Sequence, residues 1–163
     1  MPARALLIIA LALAAFAVSA GQASEFSAGT IKITSPWTKA TPERAKVGGG
    51  FMTLTNAGKE ADRLIGGSTE VSGSLQIHEM HIVNGVMMMR HNDPGIALAP
   101  GVSVVLKPFS HHLMFMDLRQ PLVAGRPIKG TLVFEKAGTI EIEYAVVPLG
   151  ADGPKAGTAH KHH

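Results

Sequence analysis

The chain has 163 residues, of which 46% are hydrophobic and 17% are charged, and these proportions describe one globular domain with a proper core. A formal net charge of +3, without any run of lysine or arginine, argues against a nucleic-acid partner. The lack of cysteine excludes disulfide scaffolds, thiolate nucleophiles, iron–sulfur clusters and cysteine-ligated copper. Against one tryptophan and one tyrosine, the chain has 8 methionines and 8 histidines.

The N-terminal segment, from Met1 to Ala23, has the plan of a secretory signal peptide. Arg4 is its only charged side chain, and an unbroken apolar run extends from Ala5 to Val18. That run is shorter than the ~20 residues needed to span a bilayer, and small residues precede Ala20 and Ala23 as in cleavage sites. The sequence therefore predicts cleavage after Ala20 or Ala23 and an exported, soluble mature protein outside the cytoplasm, without a membrane span.

Short β-rich runs separated by glycine, proline and asparagine fill residues 24 to 149, and this pattern favours an antiparallel sandwich or small barrel. Strands are expected at Thr30–Thr34, Gly50–Asn56, Asp62–Ser68, Ser74–Ile82, Val86–Arg90, Val102–Lys107, His112–Leu118, Gly130–Glu135 and Thr139–Val147. Asn84-Gly85 predicts a tight hairpin between two of these strands. Trp37 is expected in the core. Residues 150 to 163 contain no large apolar side chain, so a flexible tail is expected there.

Histidine and methionine cluster together between His78 and Met116. This stretch holds five of the eight histidines and six of the seven methionines that follow Met1. Core filling explains a single methionine, and a surface position explains a single histidine, but neither explains the joint clustering.

Strand geometry brings members of this cluster together. Residues two apart share one face of a strand, which applies to His78 with Met80 and to His112 with Met114. The hairpin at Asn84-Gly85 makes the strands on either side of it antiparallel neighbours. Imidazoles and thioethers could therefore converge, and thioethers select Cu(I) among biological metals.

Three segments resemble the PCuAC family of periplasmic copper chaperones: His78-Glu79-Met80, Gly85-Val86-Met87-Met88-Met89-Arg90 and His112-Leu113-Met114-Phe115-Met116-Asp117-Leu118. The family signature is H-x10-M-x21-H-x-M. The first spacing matches from His78 to Met89, whereas the spacing from Met89 to His112 is one position longer than in the signature. We interpret the difference as a loop insertion near Pro94-Gly95 or Pro108. The similarity extends over residues 29 to 149.

The resemblance implies a cupredoxin-like Greek-key fold that binds one Cu(I) through His78, Met89, His112 and Met114. Whether Met88 or Met89 is the ligand stays open at this point. The implied function is copper delivery in the periplasm to a cysteine-bearing acceptor, cytochrome c oxidase subunit II or an assembly factor of its CuA centre. A copper storage or resistance protein and a metal-free β-sandwich interaction module are the alternatives.

Other copper proteins and enzymes fit the sequence less well. Blue-copper electron-transfer sites need a cysteine thiolate. A copper enzyme that cleaves polysaccharides needs an N-terminal histidine, whereas the expected mature chains start at Gly21 or Ser24. No paired carboxylates, nucleophile elbow or phosphate-binding loop are present, so an enzyme is not expected. Four further side chains are expected around the site without binding metal: Arg90, His91, His81 and Met116.

The C-terminal residues His160, His162 and His163 form a second candidate site. Three imidazoles and a carboxylate are borderline-hard donors that suit Cu(II). The sequence therefore predicts a weaker Cu(II) site in the tail, from which copper passes to the methionine site after reduction.

Overall fold

The computed structural model describes residues 23–155, and all regular secondary structure in this range is β-strand. In chain order the strands are β1 (Glu25–Ala28), β2 (Ile31–Lys39), β3 (Val47–Asn56), β4 (Asp62–Thr69), β5 (Ser74–Val83), β6 (Val86–His91), β7 (Ile96–Leu98), β8 (Ser103–Leu106), β9 (His112–Met116), β10 (Ile128–Phe134) and β11 (Gly138–Val147). The expected signal peptide lies outside these residues except for Ala23, and so do the three histidines of the tail.

The strands form one path in the order β6-β5-β9-β3-β2-β11-β10-β4-β7, with β1 beside β2 and β8 beside β3. All pairings are antiparallel except that of β2 with β11, which is parallel. The path has two free ends, β6 and β7, so the sheet does not close into a barrel. The predicted all-β fold is confirmed.

Two strands change partners along their length, which lets the sheet fold over itself. The first half of β2 pairs with β1 and its last three residues pair with β11. Between the halves the register shifts, at Ser35 with φ of +50° and at Pro36, which has no backbone N–H to donate. The first part of β3 pairs with β9 and its second part with β8. This exchange places β9 between β3 and β5.

The core lies between the two halves of the folded sheet. It includes Ile33, Leu54, Ile77 and Leu113 from one half and Leu64, Leu98, Leu132 and Tyr144 from the other. Strict alternation in β11 supplies Ile142 and Tyr144 to this core and leaves Glu141 and Glu143 exposed, as expected for a half-buried strand. Met52, outside the histidine–methionine cluster, is 2% exposed and packs in the core.

All nine expected strands are present, with ends shifted by up to five residues. The C-terminal end of β9 is an example, since Asp117 has φ of +53° and leaves the strand before Leu118. Strands β1 and β7 were not predicted, because the first has one large apolar residue and the second has only three residues.

Beyond β11 the chain stays against the sheet for a few residues. Ala151 packs on a small cluster of Trp37, Phe51 and Val147, and Asp152 lies 3.9 Å from the ammonium group of Lys39. Residues 156–163 of the expected flexible tail lie outside the described residues, so the flexibility of the tail stays a prediction. Trp37 is buried as predicted, and it lies in this smaller cluster.

Candidate metal-binding face

The β5–β6 hairpin determines which side chains share a face of the sheet. Asn84 and Gly85 both have positive φ, +51° and +78°, which is the conformation of a two-residue hairpin turn. The resulting register places His78 opposite His91 and Met80 opposite Met89. Because directly opposite residues lie on the same face, these four side chains share one face, and the predicted hairpin is confirmed.

Strand β9 extends this face on the other side of β5. His112 lies opposite His78, and Met114 lies opposite Gln76. Three imidazoles thus stand in a row across β9, β5 and β6, with the ring of His78 centred 5.9 Å from that of His112 and 5.9 Å from that of His91. The alternate residues Ile77 and Leu113 are buried in the core, so the histidine row is on the outer face of the sheet.

The strand register separates the two candidate methionines of β6. Met89 shares the face of His78, whereas Met88 lies opposite His81 on the other face. Met89 and Met114 are both diagonal neighbours of His78, one on each side of it. Diagonal neighbours are about 7–8 Å apart, within reach of long side chains.

Glu79 of β5 and its charged and ring-nitrogen partners lie on the opposite face. Glu79 Oε2 is 3.1 Å from His81 Nε2 and 3.8 Å from Arg90 Nη2, and Glu79 Oε1 is 3.4 Å from His111 Nε2. Within residues 23–155, no three histidine or acidic side chains form a site suited to a metal ion. On the outer face, β5, β6 and β9 thus bring together imidazoles, thioethers and the amide of Gln76, and no carboxylate.

The histidine nitrogens differ in their hydrogen bonds. His78 Nε2 lies 2.8 Å from Gln76 Oε1, while His78 Nδ1 is buried without a hydrogen-bond partner in the described part of the chain. His112 Nδ1 lies 2.9 Å from the carbonyl oxygen of Ser110, and this histidine is only 7% exposed. Among the described residues, His78 and His112 therefore each have one nitrogen held by the protein and one nitrogen without such a bond.

An aromatic row packs beside His112. The ring of Phe51 is centred 6.4 Å from His112 and 4.5 Å from Trp37. The Phe51 ring also covers Gly49, where an added Cβ would lie 2.9 Å from Phe51 Cζ. Glycine at this position therefore allows the ring to lie on the strand. No pattern in the sequence indicated that Phe51 borders the histidines.

Burial lowers the pKa of His78 below its usual value of 6.5, and positive charge on His112 and His91 would lower it further. The folded protein then binds fewer protons than the unfolded chain between this lowered pKa and 6.5. The contribution of His78 to the free energy of unfolding should therefore be complete above pH 6.5, and it should fall as the pH drops from 6.5 through the lowered pKa.

NMR titration of the metal-free protein, with melting temperatures over the same pH range, checks this expectation. Replacing His91 with glutamine removes one repulsive charge, so it should raise the pKa of His78. His81→Gln changes the opposite face and should leave that pKa unchanged. A His78 pKa at or above 6.5 in the wild type would contradict the prediction.

Comparison with known proteins identifies the family. Residues 31–147 match the family described as "Putative lipoprotein LpqE-like". The chain belongs to this family. The protein named "Putative lipoprotein Lxx21020" from Leifsonia xyli subsp. xyli is 28% identical over 116 residues, which are 71% of this chain and 69% of that protein.

Solved PCuAC domains have the same fold as this LpqE-like chain. The copper-bound PCuAC domain from PmoF2 is 31% identical, with a TM-score of 0.67 over 77% of this chain and 98% of that domain. The solution structure of CuI-DR1885 from Deinococcus radiodurans is 21% identical, with a TM-score of 0.56 over 80% of this chain and 81% of that chain, and shows the fold alone. The predicted PCuAC resemblance and cupredoxin-like fold are confirmed.

The comparisons support export of the protein only through the descriptions of its relatives. The family and the Leifsonia relative both carry the description "Putative lipoprotein". Between residues 23 and 155, no helix is long and apolar enough to cross a membrane. The cleavage site and the periplasmic location stay predictions.

Proposed function

We propose that this LpqE-like protein is a periplasmic copper chaperone that binds one Cu(I) through His78, Met89, His112 and Met114. The observation that carries the proposal is the common outer face of β5, β6 and β9, on which these four side chains stand. The 31% identity to a copper-bound PCuAC domain supports the copper-binding part of the proposal.

The donor chemistry favours Cu(I) over other metals. Thioethers are soft ligands that suit Cu(I), whereas magnesium and calcium need oxygen ligands. Glu79, the one carboxylate of β5 and β6, lies on the other face of the sheet with His81 and Arg90. Two neutral imidazoles and two thioethers leave bound Cu(I) with its positive charge.

A copper site of this kind can release its ion to a thiolate-bearing partner. Cysteine thiolates are anionic soft ligands and would out-compete neutral ones for Cu(I). Met89 is half exposed on the β5–β6 hairpin, whose Ile82 and Val86 are also exposed, so a partner can reach the ligand there. The proposed acceptor is cytochrome c oxidase subunit II, at its CuA centre, or an assembly factor.

A Cu(I) competition titration of the mature protein, with stoichiometry from elemental analysis, tests the binding. The expected result is one tightly bound Cu(I) per chain. Transfer is then measured by mixing the loaded protein with a soluble CuA domain. Tight binding without transfer favours copper storage or resistance, and failure to bind copper favours a β-sandwich interaction module.

The histidine tail is proposed as a second copper site. His160, His162 and His163 offer nitrogen donors that suit Cu(II) better than Cu(I). Truncation after Lys155 removes all three and keeps the packed residues around Ala151. The truncated protein should lose its weaker Cu(II) binding and keep its Cu(I) affinity, as measured by separate titrations. Equal Cu(II) uptake by both proteins would exclude the tail as a ligand.

A further inference from the structure

Gln76 is placed to control the imidazole of His78. Both residues lie on the outer face of β5, two positions apart, and Gln76 Oε1 is 2.8 Å from His78 Nε2. An amide oxygen only accepts hydrogen bonds, so this contact requires the proton on Nε2. The lone pair of His78 is then on Nδ1, which is the buried nitrogen without a partner in the described residues.

His112 has the reverse arrangement. Its Nδ1 donates to the carbonyl oxygen of Ser110 at 2.9 Å, because a carbonyl can only accept. The lone pair of His112 is therefore on Nε2. The two neighbouring rings, 5.9 Å apart, present different nitrogens.

We infer that Gln76 is a positioning residue that holds His78 with Nδ1 free for copper, so that the metal is bound through Nδ1 of His78 and Nε2 of His112. The inference rests on the proposed function. A histidine that binds metal usually donates its other N–H to an acceptor, which fixes the orientation of the ring. The buried Nδ1 lone pair of His78 would find in the metal the partner that the described part of the protein does not provide.

The first test uses the metal-free protein and needs no copper. Nitrogen-15 NMR at neutral pH should find the proton of His78 on Nε2 and that of His112 on Nδ1. Gln76→Leu should remove the slowly exchanging Nε2 proton signal of His78. A wild-type His78 protonated on Nδ1 would overturn the inference, whatever the copper affinity.

The second test measures Cu(I) affinity by competition. Gln76→Leu should lower it by about 10- to 100-fold, the usual effect of losing a partner of a ligating histidine. Gln76→Glu retains an acceptor oxygen and should restore most of the affinity. Gln120→Leu makes the same change at an exposed position outside the strands and is the matched control.

The two tests separate this inference from the proposed function. If the wild type binds Cu(I) and Gln76→Leu binds it equally well, the role of Gln76 is wrong and the copper site stands. If the wild type does not bind Cu(I), the proposed function and the role of Gln76 both fail. Equal loss of affinity in Gln76→Leu and Gln76→Glu, with unchanged melting temperatures, would also contradict a role as acceptor.

Discussion

Replacing Met89 with leucine is expected to lower Cu(I) affinity by about 100-fold or more, since changes to groups that only support a ligand already cost about 10- to 100-fold. Leucine retains the apolar bulk and loses the thioether. Met89 is 50% exposed on an edge strand, so its replacement should leave the fold intact. A Cu(I) competition titration together with the melting temperature of the apoprotein measures both effects.

Met88→Leu is the matched control. Met88 is adjacent in sequence and 53% exposed, but it lies on the other face, opposite His81. The Cu(I) affinity of the Met88→Leu variant should equal that of the wild type. If Met89→Leu binds normally and Met80→Leu loses copper, the methionine ligand belongs to β5, because Met80 lies opposite Met89 on the same face.

Local patterns in the sequence were sufficient to predict much of this face. The turn at Asn84-Gly85 fixes the β5–β6 register, because a two-residue loop allows only one pairing of the flanking strands. The alternation of His112 and Met114 within β9 likewise places both on one face. These two local features predict the shared face without information on the rest of the fold.

Contacts between strands distant in sequence were not predictable in the same way. Phe51 reaches His112 because β3 pairs with β9, and the pairing of strands so far apart in the chain depends on the whole topology. The parallel pairing of β2 with β11 has no local signal either. Gln76 carries no motif, and its role depends on a single hydrogen bond.

The choice between Met88 and Met89 depends on the strand register as well as on the motif. The spacing between Met89 and His112 is one residue longer than in the motif, so the motif alone leaves the choice of methionine open. Pro94 and Pro108 both lie outside the strands, so the length between β6 and β9 can vary without changing either strand. The pairing of β5 with β6 is unaffected by that insertion, and it places Met89 on the face of His78.

Replacing His112 with phenylalanine is expected to reduce Cu(I) affinity by at least about 100-fold, because it removes a proposed ligand rather than a group supporting one. Phenylalanine is close to histidine in shape. Its ring can therefore keep the contact that His112 makes with the ring of Phe51. The carbonyl of Ser110 loses its imidazole donor and can be hydrated, since Ser110 is not buried.

His91→Phe is the control for this change, since both histidines lie directly opposite His78 with ring centres 5.9 Å from it. His91 is exposed on the edge strand and is not among the four proposed ligands. Its replacement should leave the Cu(I) affinity near that of the wild type, while His112→Phe should lose it at an unchanged melting temperature. The reverse result would place the second imidazole ligand on β6, beside Met89, and would remove β9 from the copper site.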